Sequence, residues 1–157
     1  MPIPILSYTS QVKIKSSVDE PIFVFYYFKL FKRQLDKAYI KNISEKANTC
    51  IYKGTPFRFS WNGWNKFNGV TSGKVTLKKQ GNEILLNYQL NFYEVFVLCL
   101  IFMIIPTFGI FDSWLLRIGM VLLIGIVYLG NFALAVSRLN SFFEESMEQI
   151  NSEQQVK

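Results

Sequence analysis

The chain has 157 residues, a formal net charge of +6, half of its residues hydrophobic, and no histidine. Without His it lacks the commonest general base and the commonest metal ligand, and a Ser-His-Asp or Cys-His arrangement within one chain is excluded. Its two cysteines, Cys50 and Cys99, lie in segments of opposite character, so neither a disulfide framework nor a zinc site is available.

Charge is unevenly placed. In residues 1–91 fourteen Lys or Arg face five Asp or Glu, a net +9, whereas residues 138–157 carry a net −2. A basic region and an acidic tail are therefore joined through the most apolar part of the chain.

In chain order, residues 1–8 contain Pro2 and Pro4 and read as an irregular lead-in. Val12 and Ile14 then alternate with Lys13 and Lys15, the pattern of a half-buried strand. Ser17, Val18, Asp19 and Glu20 have capping-box spacing and Pro21 suits a first turn, which predicts a helix over residues 19–39. Its apolar stripe is Phe25, Phe28, Phe31, Leu35 and Tyr39, at steps of three and four. The aromatic and β-branched run over 22–28 leaves a strand open, but length favours the helix. Such a stripe usually covers a core; with Lys29, Lys32, Arg33 and Lys37 close by, a membrane-surface or partner-binding helix is the alternative.

Residues 42–48 are polar and read as a loop. From residue 49 the pattern is β. Phe57, Phe59 and Trp61 alternate with Arg58 and Ser60, and Asn62-Gly63 is the dipeptide that a type I′ turn prefers, which would set Trp61 opposite Trp64. Residues 73–79 alternate Val75 and Leu77 with Lys74, Thr76 and Lys78. Gln80-Gly81-Asn82 supplies a turn, and Ile84, Leu86, Tyr88 and Leu90 share one face of the next strand. Four or five mainly antiparallel strands with one helix against them are expected.

Two apolar runs follow, over residues 93–111 and 115–136. No charge falls within 95–111, and Arg117 is the one charge in the second run. Each approaches the ~20 residues that cross a bilayer, which predicts a two-helix transmembrane hairpin. Lys74, Lys78, Lys79 and Arg138 flank it, while the connection has Asp112 and no Lys, so both termini are expected in the cytoplasm. Residues 1–19 lack a secretory signal, consistent with that orientation. Beyond the second run Leu139, Phe142, Phe143, Met147 and Ile150 lie on one arc of a helix and Glu144, Glu145 and Glu148 on the other. The glutamates would be repelled by anionic lipid, so this arc is expected to pack on protein, either the chain's own basic domain or a second copy.

The predicted fold is thus an α+β membrane protein: a small cytoplasmic domain over residues 1–91, a transmembrane hairpin over 92–137, and an amphipathic acidic tail over 138–157. It resembles the general class of small two-span bacterial membrane proteins with a cytoplasmic domain, which implies the bacterial inner membrane.

No pair of carboxylates is placed for acid and base work, and Gly63, Gly69, Gly73 and Gly81 have turn spacing rather than phosphate-loop spacing. The expectation is a non-enzymatic protein without cofactor or metal, a membrane-anchored interaction or accessory subunit that acts with a protein partner or as a homo-oligomer. One alternative is a module for anionic lipid, with Lys74, Lys78, Lys79, Trp61 and Trp64 at the bilayer surface. Another is a small channel or transporter subunit, although Cys99, Thr107 and Asn131 supply few intramembrane polar groups. Asn131, Ala133 and Ser137 are the candidates for helix–helix contact. Trp61, Trp64, Lys66 and Phe67 resemble a stacking surface for single-stranded nucleic acid, but membrane-interface aromatics account for them as well, and no nucleic-acid partner is expected.

Overall fold

A computed structural model of the chain describes residues 7–16, 18–54, 67, 70–105 and 113–155. Alternation in the sequence becomes five strands: β1 (Ser7–Lys15), β2 (Asn42–Lys46), β3 (Thr49–Lys53), β4 (Ser72–Gln80) and β5 (Glu83–Asn91). They form one sheet in the order β1-β5-β4-β3-β2, with every neighbouring pair antiparallel. The register sets Val12, Leu86 and Leu77 in one row across the sheet, and Ser10, Tyr88, Val75 and Cys50 in another, all on one face. The opposite face carries rows such as Lys13, Leu85 and Lys78. One buried and one solvated face is what an antiparallel sheet with period-two alternation produces. Gly81, with φ 62, starts the β4–β5 turn, and Ala47, with φ 46, does the same between β2 and β3. A positive φ at that first position matches the strand twist in a two-residue hairpin.

Two strands depart from the sequence expectation. Residues 42–48 are not a loop but hold β2, a short edge strand in which only Ile43 escapes full exposure. With almost nothing buried it has no apolar alternation to display; pairing with β3 defines it. β1 begins at Ser7, inside the expected lead-in, because Tyr8 and Ser10 continue its alternation opposite Leu90 and Tyr88. The expected hairpin around Asn62-Gly63 lies outside the described residues, apart from Phe67.

Helix α1 (Glu20–Lys37) packs on one face of the sheet and buries Phe23, Val24, Tyr27, Phe28, Phe31 and Leu35. The expected stripe was rotated: Phe25 and Tyr39 are exposed, because Phe23, Val24 and Tyr27 form a better-filled arc with Phe28, Phe31 and Leu35. Ser17 of the expected capping box lies outside the described residues. Asp19 is the N-cap without a side-chain hydrogen bond, and the Glu20 carboxylate accepts from Asn48 Nδ2 at 2.5 Å and the Lys79 backbone N–H at 3.3 Å. Glu20 thus ties the helix start to the β2–β3 turn and the end of β4.

The sequence left open where the acidic tail docks. Helix α3 (Trp114–Gln155) buries Leu139, Phe142, Phe143, Met147 and Ile150 on the chain's own sheet, beside α1. Phe143 lies 4.2 Å from Tyr88 and 6.1 Å from Phe31 between ring centroids, and Phe67 packs 5.5 Å from Phe142 and 5.7 Å from Phe31. Tyr88 Oη donates to Asn140 Oδ1, Asn140 Nδ2 donates to Tyr8 Oη at 3.1 Å, and Asn151 Nδ2 donates to the Lys15 carbonyl at 3.2 Å. These bonds lay α3 along β1 from its start to its end.

The apolar region corrects the two-span expectation. Helix α2 (Tyr93–Ile105) has 13 residues, about 20 Å of helix, short of the ~30 Å hydrocarbon core. Pro106 follows it directly, and the residue before a proline is biased out of helical conformation. Counting apolar residues through Pro106 had made this run long enough. Among the described residues α3 alone is long and apolar enough to cross a membrane, by length and composition. Its 42 residues extend about 63 Å, so it has length for both a crossing and a domain contact.

Candidate functional site

The topology gives the domain two ends. At one end β5 runs through Phe92 into α2, β1 begins, and α1 finishes beside the start of β2. Here α2 and α3 meet through rings: Phe92 on Phe132 at 4.9 Å and Phe96 on Tyr128 at 5.7 Å between centroids. At the other end lie the β2–β3 and β4–β5 turns, the start of α1 and the tip of α3.

Among the described residues, and apart from the single side chains Ile51 on the open sheet face and Tyr39 after α1, exposed apolar side chains cluster in two separate places. The first is the surface of α2 and the first part of α3, where Ile101, Phe102, Leu115, Leu122, Ile126 and Leu134 are among the exposed residues. The second is the outward face of α1, where Ile22 is 46%, Phe25 64% and Tyr26 36% exposed. Phe25 and Tyr26 meet edge to face at 5.5 Å. Lys29 and Arg33 continue the same face at helical spacing and are exposed. Lys32, a little further round, pairs with Glu45 at 2.8 Å. Apolar anchors beside guanidinium and ammonium groups are the mixture that protein-binding surfaces favour. The sequence hid this face because Phe25 had been assigned to the core stripe; the competing arc through Phe23, Val24 and Tyr27 was the available signal.

The residues singled out from the sequence are spread out. Lys74 and Lys78 are exposed on the open face of the sheet, with Lys13, Lys15, Lys46 and Lys53 and one carboxylate, Glu83. Lys79 is on the other face, and its Nζ donates to the Val18 carbonyl at 2.9 Å, holding the β1–α1 connection. Trp61 and Trp64 lie outside the described residues. Phe67 is buried at 1% exposure in the aromatic core, which removes it from any stacking surface. Asn131, Ala133 and Ser137 are exposed on α3, and the α2–α3 contact is aromatic instead. Successive helical residues turn by 100°, so Asn131 points nearly opposite to the face shared by Ala133 and Ser137.

The interior holds ionisable groups in their neutral forms. Burial, then Glu45, pushes the Cys50 thiol up to about 11, with Lys32 opposing. Burial likewise pushes Tyr88 up to about 12 and Tyr27 well above the usual phenol range. The Tyr27 hydroxyl has no hydrogen-bond partner among the described residues. A protonated, enclosed thiol is a packing group rather than a nucleophile. Among the described residues no group of three or more His, Cys, Asp or Glu side chains is placed to hold a metal ion. A groove of about 250 Å³ between β1 and α3 is lined by residues 11–14 of β1 and by Glu144, Met147 and Glu148 of α3.

No family model, no curated protein and no solved structure matches the chain. Fold and surfaces define the class: an α+β protein in which one long helix is apolar enough to cross a membrane at its start and completes the domain core at its end.

Proposed function

We propose that the chain is a membrane-anchored, non-catalytic interaction subunit, with α3 crossing the bilayer, α2 accompanying it part of the way, and α1 presenting a docking face for a protein partner. One observation carries this reading: exposed apolar side chains cluster at two sites too different to share a neighbour. Along α2 and the start of α3 it continues for about one bilayer thickness, as lipid contact requires. On α1 it is a short stripe of Ile22, Phe25 and Tyr26 bordered by Lys29 and Arg33, which suits an apolar partner face with an acidic rim. Phe25 lies twelve residues, about 18 Å of helix, before Lys37 at the end of α1, which is also the end of the domain where α2 leaves β5. That separation favours protein over lipid as its neighbour.

A photoreactive phenylalanine analogue at position 25, introduced into the full chain in its native membranes, tests the docking face. One discrete protein adduct is expected from position 25 and none from position 13 on the open sheet face. Equal labelling from both positions, or none from position 25, overturns the docking assignment. Release of the chain from membranes by alkaline carbonate overturns the anchoring.

A further inference from the structure

The turn that ends α1 holds an aromatic residue where glycine is the usual choice. Ala38 is the C-cap, Tyr39 N–H donates to the Asp36 carbonyl at 2.8 Å, and Ile40 N–H donates to the Leu35 carbonyl at 2.9 Å. These are the two bonds of a Schellman motif, and Ile40 and Leu35, both buried, form its apolar contact. The motif places Tyr39 in the left-handed region, with φ 58, where an L side chain is strained. Packing within the domain does not account for a ring at this position, because Tyr39 is 69% exposed while Ala38 and Ile40 on either side are 4% and 1%. The turn is therefore fixed from below and presents the ring outward. A strained, exposed aromatic in a well-anchored turn points to a neighbour outside the domain.

Its surroundings identify that neighbour. Lys37 and Lys41 flank it, both exposed, and Lys53 faces Asn42 next to Lys41 across the β2–β3 ladder, also exposed. The carboxylates at this end are Asp36 and Glu94, whereas Asp19, Glu20, Glu83 and Glu153 lie towards the other end. From this same end the apolar helices leave, and Tyr93, at the start of α2, is 58% exposed. Trp114, 66% exposed, starts α3 at the opposite limit of the apolar surface. Phe92 packs on Phe132, so the two limits are eighteen helical residues, about 27 Å, apart along α3, close to the thickness of a hydrocarbon core. Exposed Tyr and Trp at both limits have the spacing of interfacial aromatic belts.

We propose that Tyr39, with Lys37, Lys41 and Lys53, is an interfacial anchor that binds the phosphate groups of anionic phospholipids on the domain side of the bilayer. The inference rests on the membrane anchoring proposed above. The ring lies at headgroup depth, and the three ammonium groups reach lipid phosphates from around it. Of the three lysines suggested by sequence proximity to the apolar run, Lys74 faces Gln89, three residues before Phe92, while the other two stand elsewhere. Lys78 and Lys79 face Leu85 and Ile84, and Ile84 is eight strand residues, about 27 Å, from Phe92 along β5.

The test uses the full chain reconstituted in phosphatidylcholine vesicles with or without one-quarter phosphatidylglycerol. Electron paramagnetic resonance of spin-labelled lipids measures the preference of the protein for phosphatidylglycerol over phosphatidylcholine. A preference of about fivefold, the effect of one interfacial lysine, is expected at low salt, declining as salt is added. The K37Q/K41Q/K53Q triple variant is expected to lose it. A K15Q/K46Q/K78Q triple variant, with the same change in net charge, is expected to keep it. Tyr39→Gly should raise the thermal unfolding midpoint in detergent yet lower the lipid preference, opposite signs that a purely structural tyrosine would not give. No preference in a chain that floats with vesicles, or equal loss in both triple variants, overturns the anchor. A chain that fails to float overturns the membrane reading itself.

Discussion

The two parts of α3 are one uninterrupted helix in two kinds of surroundings. Residues 114–136 are apolar on all sides except at Arg117 and Asn131, and most of their large side chains are exposed. Residues 139–150 carry apolar side chains on one arc, all buried, and glutamates on the other. A helix that is apolar all round has lipid or a protein interior as its neighbour, whereas an amphipathic helix completes a core with water at its back. On the membrane anchoring proposed above, the helix joins two environments, and whatever orients it in one orients the domain in the other. This also explains the aromatic core: Phe142 and Phe143 arrive from the far end of the sequence to fill the face that α1 alone leaves open.

The largest expected effect contrasts the two parts directly. Phe143→Ala empties a site shared with Tyr88, Phe31 and Phe67 and should destabilise the domain by about 3–5 kcal/mol in denaturant unfolding of the detergent-solubilised chain. Leu122→Ala should change the same measurement by less than about 1 kcal/mol, since Leu122 is 61% exposed and its removal leaves no cavity in the core. Equal losses would break the distinction between the two parts. Next in size, Asn140→Ala leaves the hydroxyls of Tyr88 and Tyr8 without the amide between them and should cost about 1–3 kcal/mol.

The docking of α3 over Tyr88 also has a pH signature. The folded-state values of Cys50 and Tyr88 are raised, from 9.0 to about 11 and from 10.0 to about 12, so the folded state retains protons that the unfolded state releases. Their contribution to stability is complete below pH 9 and is lost as pH rises towards 12. Unfolding midpoints should fall over that window, and Cys50→Ser should delay the onset of the fall. Stability that rose across the window would contradict the enclosed environment of these groups. The smallest effect is the gain from Tyr39→Gly, about 1 kcal/mol from release of left-handed strain, read from the same denaturant curves.

By itself the sequence determined the secondary structure wherever apolar spacing was regular: α1, β4, β5, the Gly81 turn and the unbroken passage from the apolar run into the tail. These signals are local, because each strand or helix must show one face to a core, and period two or 3.6 follows from backbone geometry alone. The tertiary structure decided what local patterns leave degenerate. Phe23 and Phe25 both fit a helical stripe, and only the sheet beneath α1 selected Phe23. β2, almost without buried residues, exists through its pairing with β3. The acidic tail found its place on the chain's own sheet, and Lys79 turned inward to Val18, because partners distant in sequence met there. Distance along the chain could not place Lys78 and Lys79 relative to the apolar helices either. The β4–β5 hairpin carries them to the end of the sheet opposite Tyr39, and direction in space is a property of the folded chain.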